Sequence, residues 1–89
     1  MSQEELIEKG EAAQTLLDTP VFNQTINQLV DATFTTFINS KPSEFEERET
    51  AHQHYKAIVD IVATLRQKVQ IKDQILATAN QLEDGEDHV

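Results

Sequence analysis

The sequence contains no cysteine and no tryptophan, and its 89 residues include only two glycines and two prolines. Without cysteine, the chain has no disulfide bonds, no thiolate metal site and no thiol chemistry. Neither proline nor glycine occurs between residues 43 and 84, so nothing there interrupts a helix. We therefore expect an all-α protein whose small core gains stability from helix packing or from association between copies.

Positive charge is also scarce, because 16 acidic residues face only 7 basic ones and the formal net charge is −9. Nucleic-acid-binding proteins present a positive surface to the phosphates, so direct DNA or RNA binding is not expected. No apolar run approaches the ~20 residues of a membrane span. The acidic N-terminal residues also lack the basic start of a signal peptide. We expect a cytosolic protein that does not associate with membranes.

Two shorter helices are predicted in the first half of the chain. The first covers residues 3–17 and begins after Ser2, whose distance in sequence from Glu5 is that of a capping box. The second covers residues 20–38 and begins at Pro20, because proline at the first helical position loses no hydrogen bond. Its apolar residues recur at steps of three and four, which indicates a helix with one broad apolar side.

A third, long helix is predicted over residues 44–82, and Ser43 with Glu46 repeats the capping-box spacing at its start. The expected architecture is two shorter helices and one long C-terminal helix, arranged as a helical hairpin or a three-helix bundle. Residues 1–82 would form the single domain, and residues 83–89 a disordered acidic tail.

The third helix carries a heptad-like apolar seam, which predicts coiled-coil packing. The interface residues expected from this seam are Tyr55, Ile58, Val62, Leu65, Val69, Ile75 and Leu76. At ~1.5 Å per residue the third helix would be about 58 Å long and the second about 29 Å. We therefore expect the second half of the third helix to lack a partner within the chain along part of its length. Another copy or another protein would cover it.

Arg66, Lys68 and Lys72 form the one cluster of basic residues. Their spacing spreads them around the helix, so solvated flanks of the seam are the simpler interpretation. The functional interpretation is a set of charged contacts with an acidic neighbouring subunit.

No catalytic or metal-binding pattern is present in the sequence. His52 and His54 lie two residues apart and point about 200° away from one another on a helix, whereas helical zinc sites use a spacing of four. A nucleophile elbow, a phosphate-binding loop and a dinucleotide fingerprint are all missing. We expect neither enzymatic activity nor a cofactor.

Residues 13–22, AQTLLDTPVF, combine a leucine pair, a proline and a phenylalanine at the start of a helix. A proline turn at Pro42, the sequence Glu-Arg-Glu at 47–49 and a long helix follow. Over residues 12–69 this order resembles small helical proteins of tailed bacteriophages, encoded near portal, capsid or packaging genes. The resemblance implies a phage protein located in the virion or the host cytoplasm, with no catalytic residues. The aromatic residue that such proteins have after Glu-Arg-Glu corresponds only loosely to His52 or Tyr55.

Three functions are compatible with this pattern. The first is a structural or assembly protein that forms a homo-oligomer or docks on a virion component. The second is an acidic inhibitor that imitates DNA and blocks a host nuclease or another DNA-binding protein. Its weakness is that the acidic residues cluster at helix starts and in the tail rather than being spaced like phosphates. The third is a small terminase-like packaging subunit, with Arg66, Lys68 and Lys72 lining a ring.

Overall fold

Three α-helices make up the computed structural model, which describes the backbone of residues 1–87 and the side chains of residues 1–81. Helix α1 is Gln3–Leu17, α2 is Pro20–Asn39 and α3 is Phe45–Asp87. No strand occurs in this described backbone. The predicted all-α architecture, with two shorter helices and a long C-terminal one, is confirmed, whereas packing between copies stays a prediction.

The first two helices begin where the local signals place them. The Glu5 backbone N–H donates a hydrogen bond to Ser2 Oγ at 3.2 Å, which satisfies one of the free N–H groups of the first turn. Pro20 is the first residue of α2, and Thr19 before it is extended, with φ −79° and ψ 119°. A proline at this position fixes φ near its helical value without losing a donor.

The threonine-rich second half of α2 is helical although its composition also suits a strand. Side-chain hydroxyls donate to backbone carbonyls one turn earlier, from Thr33 to Val30 at 2.8 Å and from Thr36 to Ala32 at 3.0 Å. Such local bonds satisfy the hydroxyl within the helix.

A turn of five residues connects α2 to α3. The Ser40 hydroxyl donates to the Phe37 carbonyl at 2.7 Å. Lys41 and Glu44 are joined twice, because the Glu44 N–H donates to the Lys41 carbonyl at 2.9 Å and the Lys41 N–H donates to Glu44 Oε1 at 3.1 Å. The Glu44 carboxylate therefore braces the turn, and α3 begins after Glu44. This differs from the predicted cap at Ser43.

Helix α3 is one uninterrupted helix of 43 residues, about 65 Å long. It extends to Asp87, five residues beyond the predicted end at Leu82 and into the predicted acidic tail, whose disorder stays a prediction. The physical reason for the extension is that this stretch contains no proline, and its single glycine costs a helix only about 1 kcal/mol. Residues 88 and 89, also assigned to that tail, lie outside the described residues.

The chain divides into two compact units that share α3. Unit 1 consists of residues 1–17 and the part of α3 from residue 64 onward. In it, α1 packs closely on α3: a Cβ atom on Gly10 would lie 2.8 Å from the Lys68 carbonyl oxygen and closer still to the Lys72 Cβ. Gly10 and Ala13, one turn apart, are both buried at this contact. Because Gly10 has no side chain, the backbones of α1 and α3 can approach closely at this position.

Unit 2 consists of residues 18–63, in which α2 packs against the first part of α3. Its buried apolar residues are Ala51 and Ile58, both on α3. Of the twenty described residues of α2, none is fully buried, although α2 is the most apolar helix of the chain. Phe22, Ile26 and Val30 are half-buried, and the large apolar residues of α2 that remain exposed are Val21, Leu29, Phe34, Phe37 and Ile38.

Candidate protein-interaction surface

The contact between α2 and α3 in unit 2 has a groove on each flank, and Thr33 and Ala51 line both. Their other residues differ in chemistry. Because a helix places residues three and four apart on one side, each flank draws a separate stripe from each helix.

The first groove, which we call the aromatic groove, has a volume of about 450 Å³. It is lined by Val30, Asp31, Thr33, Phe34, Phe37, Ala51, His52 and Tyr55. Three of these are large aromatic residues, and each is exposed, with 62% of Phe34 accessible to solvent. Exposed aromatic rings concentrated on one side of a small protein are typical of a protein-contact surface.

A cation–π contact fixes one wall of the aromatic groove. The Arg48 guanidinium carbon lies 4.6 Å from the centre of the Phe37 ring. Arg48 Nε is buried and has no hydrogen-bond partner in the part of the chain that the structure describes. The ring face therefore provides the electrostatic attraction that holds this guanidinium in place. Phe37 is oriented by a charged neighbour from α3 as well as by apolar packing.

The groove on the other flank, which we call the acidic groove, is an open surface depression of about 810 Å³. Its α2 side consists of Leu29, Ala32, Thr33 and Thr36. The residues from α3 are Glu46, Glu47, Thr50, Ala51, His54, Ala57 and Ile58. The two carboxyl groups of Glu46 and Glu47, and a lining without phenylalanine or tyrosine, distinguish it from the aromatic groove.

The Glu47 carboxyl beside this groove interacts with Glu44. A hydrogen bond from Glu47 lowers the pKa of Glu44, and the Lys41 backbone N–H lowers it further. The same side-chain hydrogen bond raises the pKa of Glu47, with the charge of Glu44 adding to the effect. The pair therefore shares a proton more readily than two separate carboxyls would.

The structure separates the seven predicted seam residues by environment. Tyr55 lines the aromatic groove, and Ile58 is buried against α2. The half-buried members are Val62, Leu65, Val69 and Ile75, and Leu76 is exposed. Around residues 68–72 α1 covers α3 through Gly10, so the part of the second half of α3 that was expected to lack a partner does not include this stretch. Most of the predicted seam residues are therefore buried or half-buried within the chain.

The three predicted basic residues are also in different environments. Arg66 is exposed and Lys68 is half-buried. The Lys72 side chain is only 12% exposed, and its Nζ lies 3.2 Å from Asp73 Oδ1. The simpler interpretation of these residues as solvated flanks of the seam therefore does not hold for Lys72. Its aliphatic stem packs under α1 while its charge is paired within α3.

Exposed apolar residues that sequence reasoning did not assign to an interface include Phe34, Ile38 and Phe45. Phe34 and Ile38 belong to the broad apolar side of α2. The signal that could have found Phe45 is its spacing of seven from His52 and of fourteen from Val59. Such a spacing places all three on one side of α3.

His52 and His54 line different grooves, as their spacing of two predicts, and His88 lies outside the described residues. Within residues 1–81 no group of three histidine, aspartate or glutamate side chains is arranged to hold a metal ion. No helix in the described part of the chain is both long and apolar enough to span a membrane.

The fold and surface thus define a class: an all-α protein with a small core and an uncovered apolar surface beside α2. Comparisons with protein-family models, with curated proteins and with solved structures give no match to this chain.

Proposed function

We propose that this chain is a small, non-enzymatic structural or assembly protein that works as a homo-oligomer. The single observation that carries the proposal is the state of α2, the most apolar helix, which buries none of its twenty residues within one chain. Monomeric proteins rarely leave such a contiguous apolar surface in water, because covering it is favourable by roughly 25 cal/mol per Å². Association between copies of the chain would cover the exposed apolar surface of α2.

The weak core of unit 2 supports the same proposal. Its buried apolar residues are one alanine and one isoleucine, and no large side chain among the described residues is completely buried. Small chains without disulfide bonds or metal sites commonly obtain the missing apolar burial by oligomerisation. Folding stability and assembly would then depend on each other.

The proposed setting is the assembly of a tailed bacteriophage, in the virion or in the host cytoplasm. This part rests on the motif resemblance over residues 12–69 and is separate from the argument about α2. The partial burial of the predicted basic cluster gives no support to a packaging subunit that binds DNA through Lys72. Detection of the chain by mass spectrometry in purified particles of a phage that encodes it would support a virion role. Its absence there would contradict that role.

The solution mass of the purified wild-type chain tests the oligomer itself. Light scattering on a sizing column, over a wide concentration range, should give a defined multiple of the 10.1 kDa chain mass. A mass of one chain at every concentration would contradict the proposal.

A further inference from the structure

The aromatic groove continues into a larger apolar surface. On α2, Ile38 lies one turn after Phe34, and on α3, Phe45 and Val59 share a side with His52. All three are exposed, Phe45 at 75% and Ile38 at 60%. We call the aromatic groove together with these residues the aromatic face. It lies entirely within unit 2.

The size of the aromatic face matches the requirement of a dimer. With about 200 Å² for each aromatic side chain, its exposed apolar residues present on the order of 600 Å² per copy. A standard interface takes about 800 Å² from each partner, of which roughly 60% is apolar. One aromatic face therefore supplies the apolar area that one half of a standard interface requires.

Charge selects the aromatic face over the acidic groove as the place where two copies meet. Each chain carries a formal net charge of −9, so association must bring together the parts of the surface that are poorest in carboxylates. The acidic groove would place Glu46 and Glu47 of one copy against those of the other. The aromatic groove has Asp31 as its single carboxylate, with His52 across it and Arg48 behind Phe37.

We infer that the aromatic face is the surface on which a second copy of this chain docks, as a two-fold symmetric dimer. In such an interface the same patch of each copy meets the other, so each residue contributes twice. The inference rests on the proposed function and adds to it the location of the interface, the stoichiometry and the partner. It replaces the seam on the second half of α3 as the site of association.

Matched substitutions on the two flanks of α2 test the inference. Phe34→Asp introduces a charge into the aromatic face, and Leu29→Asp introduces the same charge into the acidic groove at a residue that is 47% exposed. Because Phe34 counts twice, Phe34→Asp should raise the dimer dissociation constant on the order of a thousandfold. Leu29→Asp should leave the dimer intact. Light scattering gives the mass, and circular dichroism verifies the helix content of each variant.

Phe45→Asp is a second variant that avoids a possible folding defect of Phe34→Asp. An aspartate in the first turn of α3 is favourable to the helix, so this variant should fold. It should also dissociate the dimer. Salt provides an independent readout, because screening of the acidic chains should tighten an apolar interface, whereas an interface of Arg66 and Lys68 with carboxylates should weaken.

The outcomes separate the inference from the proposed function. A wild-type dimer with monomeric Phe34→Asp and Phe45→Asp and a dimeric Leu29→Asp would support the inference. A wild-type oligomer that keeps its mass in both phenylalanine variants would overturn the inference and leave the proposed function standing. A dimer dissociated by Leu29→Asp alone would also overturn the inference, in favour of the acidic groove. A wild-type monomer at every concentration would overturn both.

Discussion

The two units of this chain bury their short helices differently, and the less apolar helix is the better packed one. In unit 1, α1 brings Gly10 and Ala13 against α3 so closely that its backbone approaches the Lys68 carbonyl. In unit 2, α2 has large side chains along its length, and none of its residues is buried. The comparison teaches that small residues at a crossing determine how closely two helices pack, whereas apolar content determines how much surface has to be covered.

The uncovered surface is correspondingly concentrated in unit 2. Among the described side chains, the large apolar residues that are well exposed in unit 1 are Met1, Leu16 and Leu76. Those in unit 2 are Val21, Leu29, Phe34, Phe37, Ile38, Phe45, Tyr55, Val59 and Ile61. Among the described side chains, unit 1 leaves few large apolar residues exposed, whereas unit 2 leaves most of the exposed ones on its surface.

The largest effect on folding is expected from the small core of unit 2. Ile58 is only 9% exposed, and Ile58→Ala should lower the free energy of unfolding by about 2–3 kcal/mol, because it removes apolar contacts and leaves a cavity. Ile61→Ala is the matched control on the same helix, where 52% exposure predicts a loss of about 0.5 kcal/mol. Urea unfolding at one fixed protein concentration measures both values. Equal losses would contradict the assignment of Ile58 to the core.

The close packing in unit 1 predicts the next largest effect. Gly10→Ala gains about 1 kcal/mol in helix propensity. The new Cβ would meet the Lys68 carbonyl and the Lys72 Cβ, neither of which is the free end of a side chain. Overpacking of this kind costs about 1–3 kcal/mol, so we expect a net destabilisation of about 1 kcal/mol.

Ala12→Gly provides the control for Gly10→Ala, because Ala12 is exposed on the same helix. It should lose about 1 kcal/mol from helix propensity alone. If Gly10→Ala raised the midpoint of thermal unfolding by as much as Ala12→Gly lowers it, the close approach of α1 to α3 would be refuted.

Gly10 also shows which parts of this structure could be predicted from sequence. Helix starts follow from local signals, such as Pro20 at the first position of α2 and the Ser2 hydroxyl as a cap, and these starts were predicted within a residue or two. The packing of α1 on α3 could not be predicted, since a glycine in a helix indicates low local stability and says nothing about a distant contact. For the same reason Lys72 was expected to be exposed, although its stem lies beneath α1.

The candidate interface was predicted only in part. The heptad seam on α3 indicates apolar residues that can pack against a neighbouring helix, but periodicity alone does not distinguish a partner within the chain from one outside it. Burial supplies the missing information, because it shows that the stripe along α2 is wider than the surface that α3 covers. The acidic composition then indicates which flank two copies can share.

A smaller effect is expected from Arg48, whose guanidinium lies over the Phe37 ring in unit 2. Arg48→Met retains most of the aliphatic stem but removes the cation from the Phe37 ring, so the unfolding free energy should fall by about 0.5–1 kcal/mol. The control is Arg66→Met, because Arg66 is exposed and should change stability little. A Phe37 ring with the same NMR chemical shifts in wild type and Arg48→Met would show that the cation–π contact is not formed.

The smallest effect concerns the Glu44 and Glu47 pair at the start of α3. Side-chain carbon chemical shifts followed by NMR as a function of pH should show Glu44 titrating below and Glu47 above the ordinary glutamate pKa. A lowered pKa in the folded state makes stability fall as the pH drops through it, and a raised pKa does the opposite. The two contributions oppose one another, so the net dependence of stability on pH from this pair should be small. In Glu44→Gln, the pKa of Glu47 should return toward its ordinary value, because the neighbouring negative charge is lost and a neutral amide oxygen accepts the Glu47 hydrogen bond less strongly than a carboxylate does. An unchanged Glu47 titration in that variant would show that the carboxyls do not interact, and the brace between Lys41 and Glu44 would then act alone at this turn.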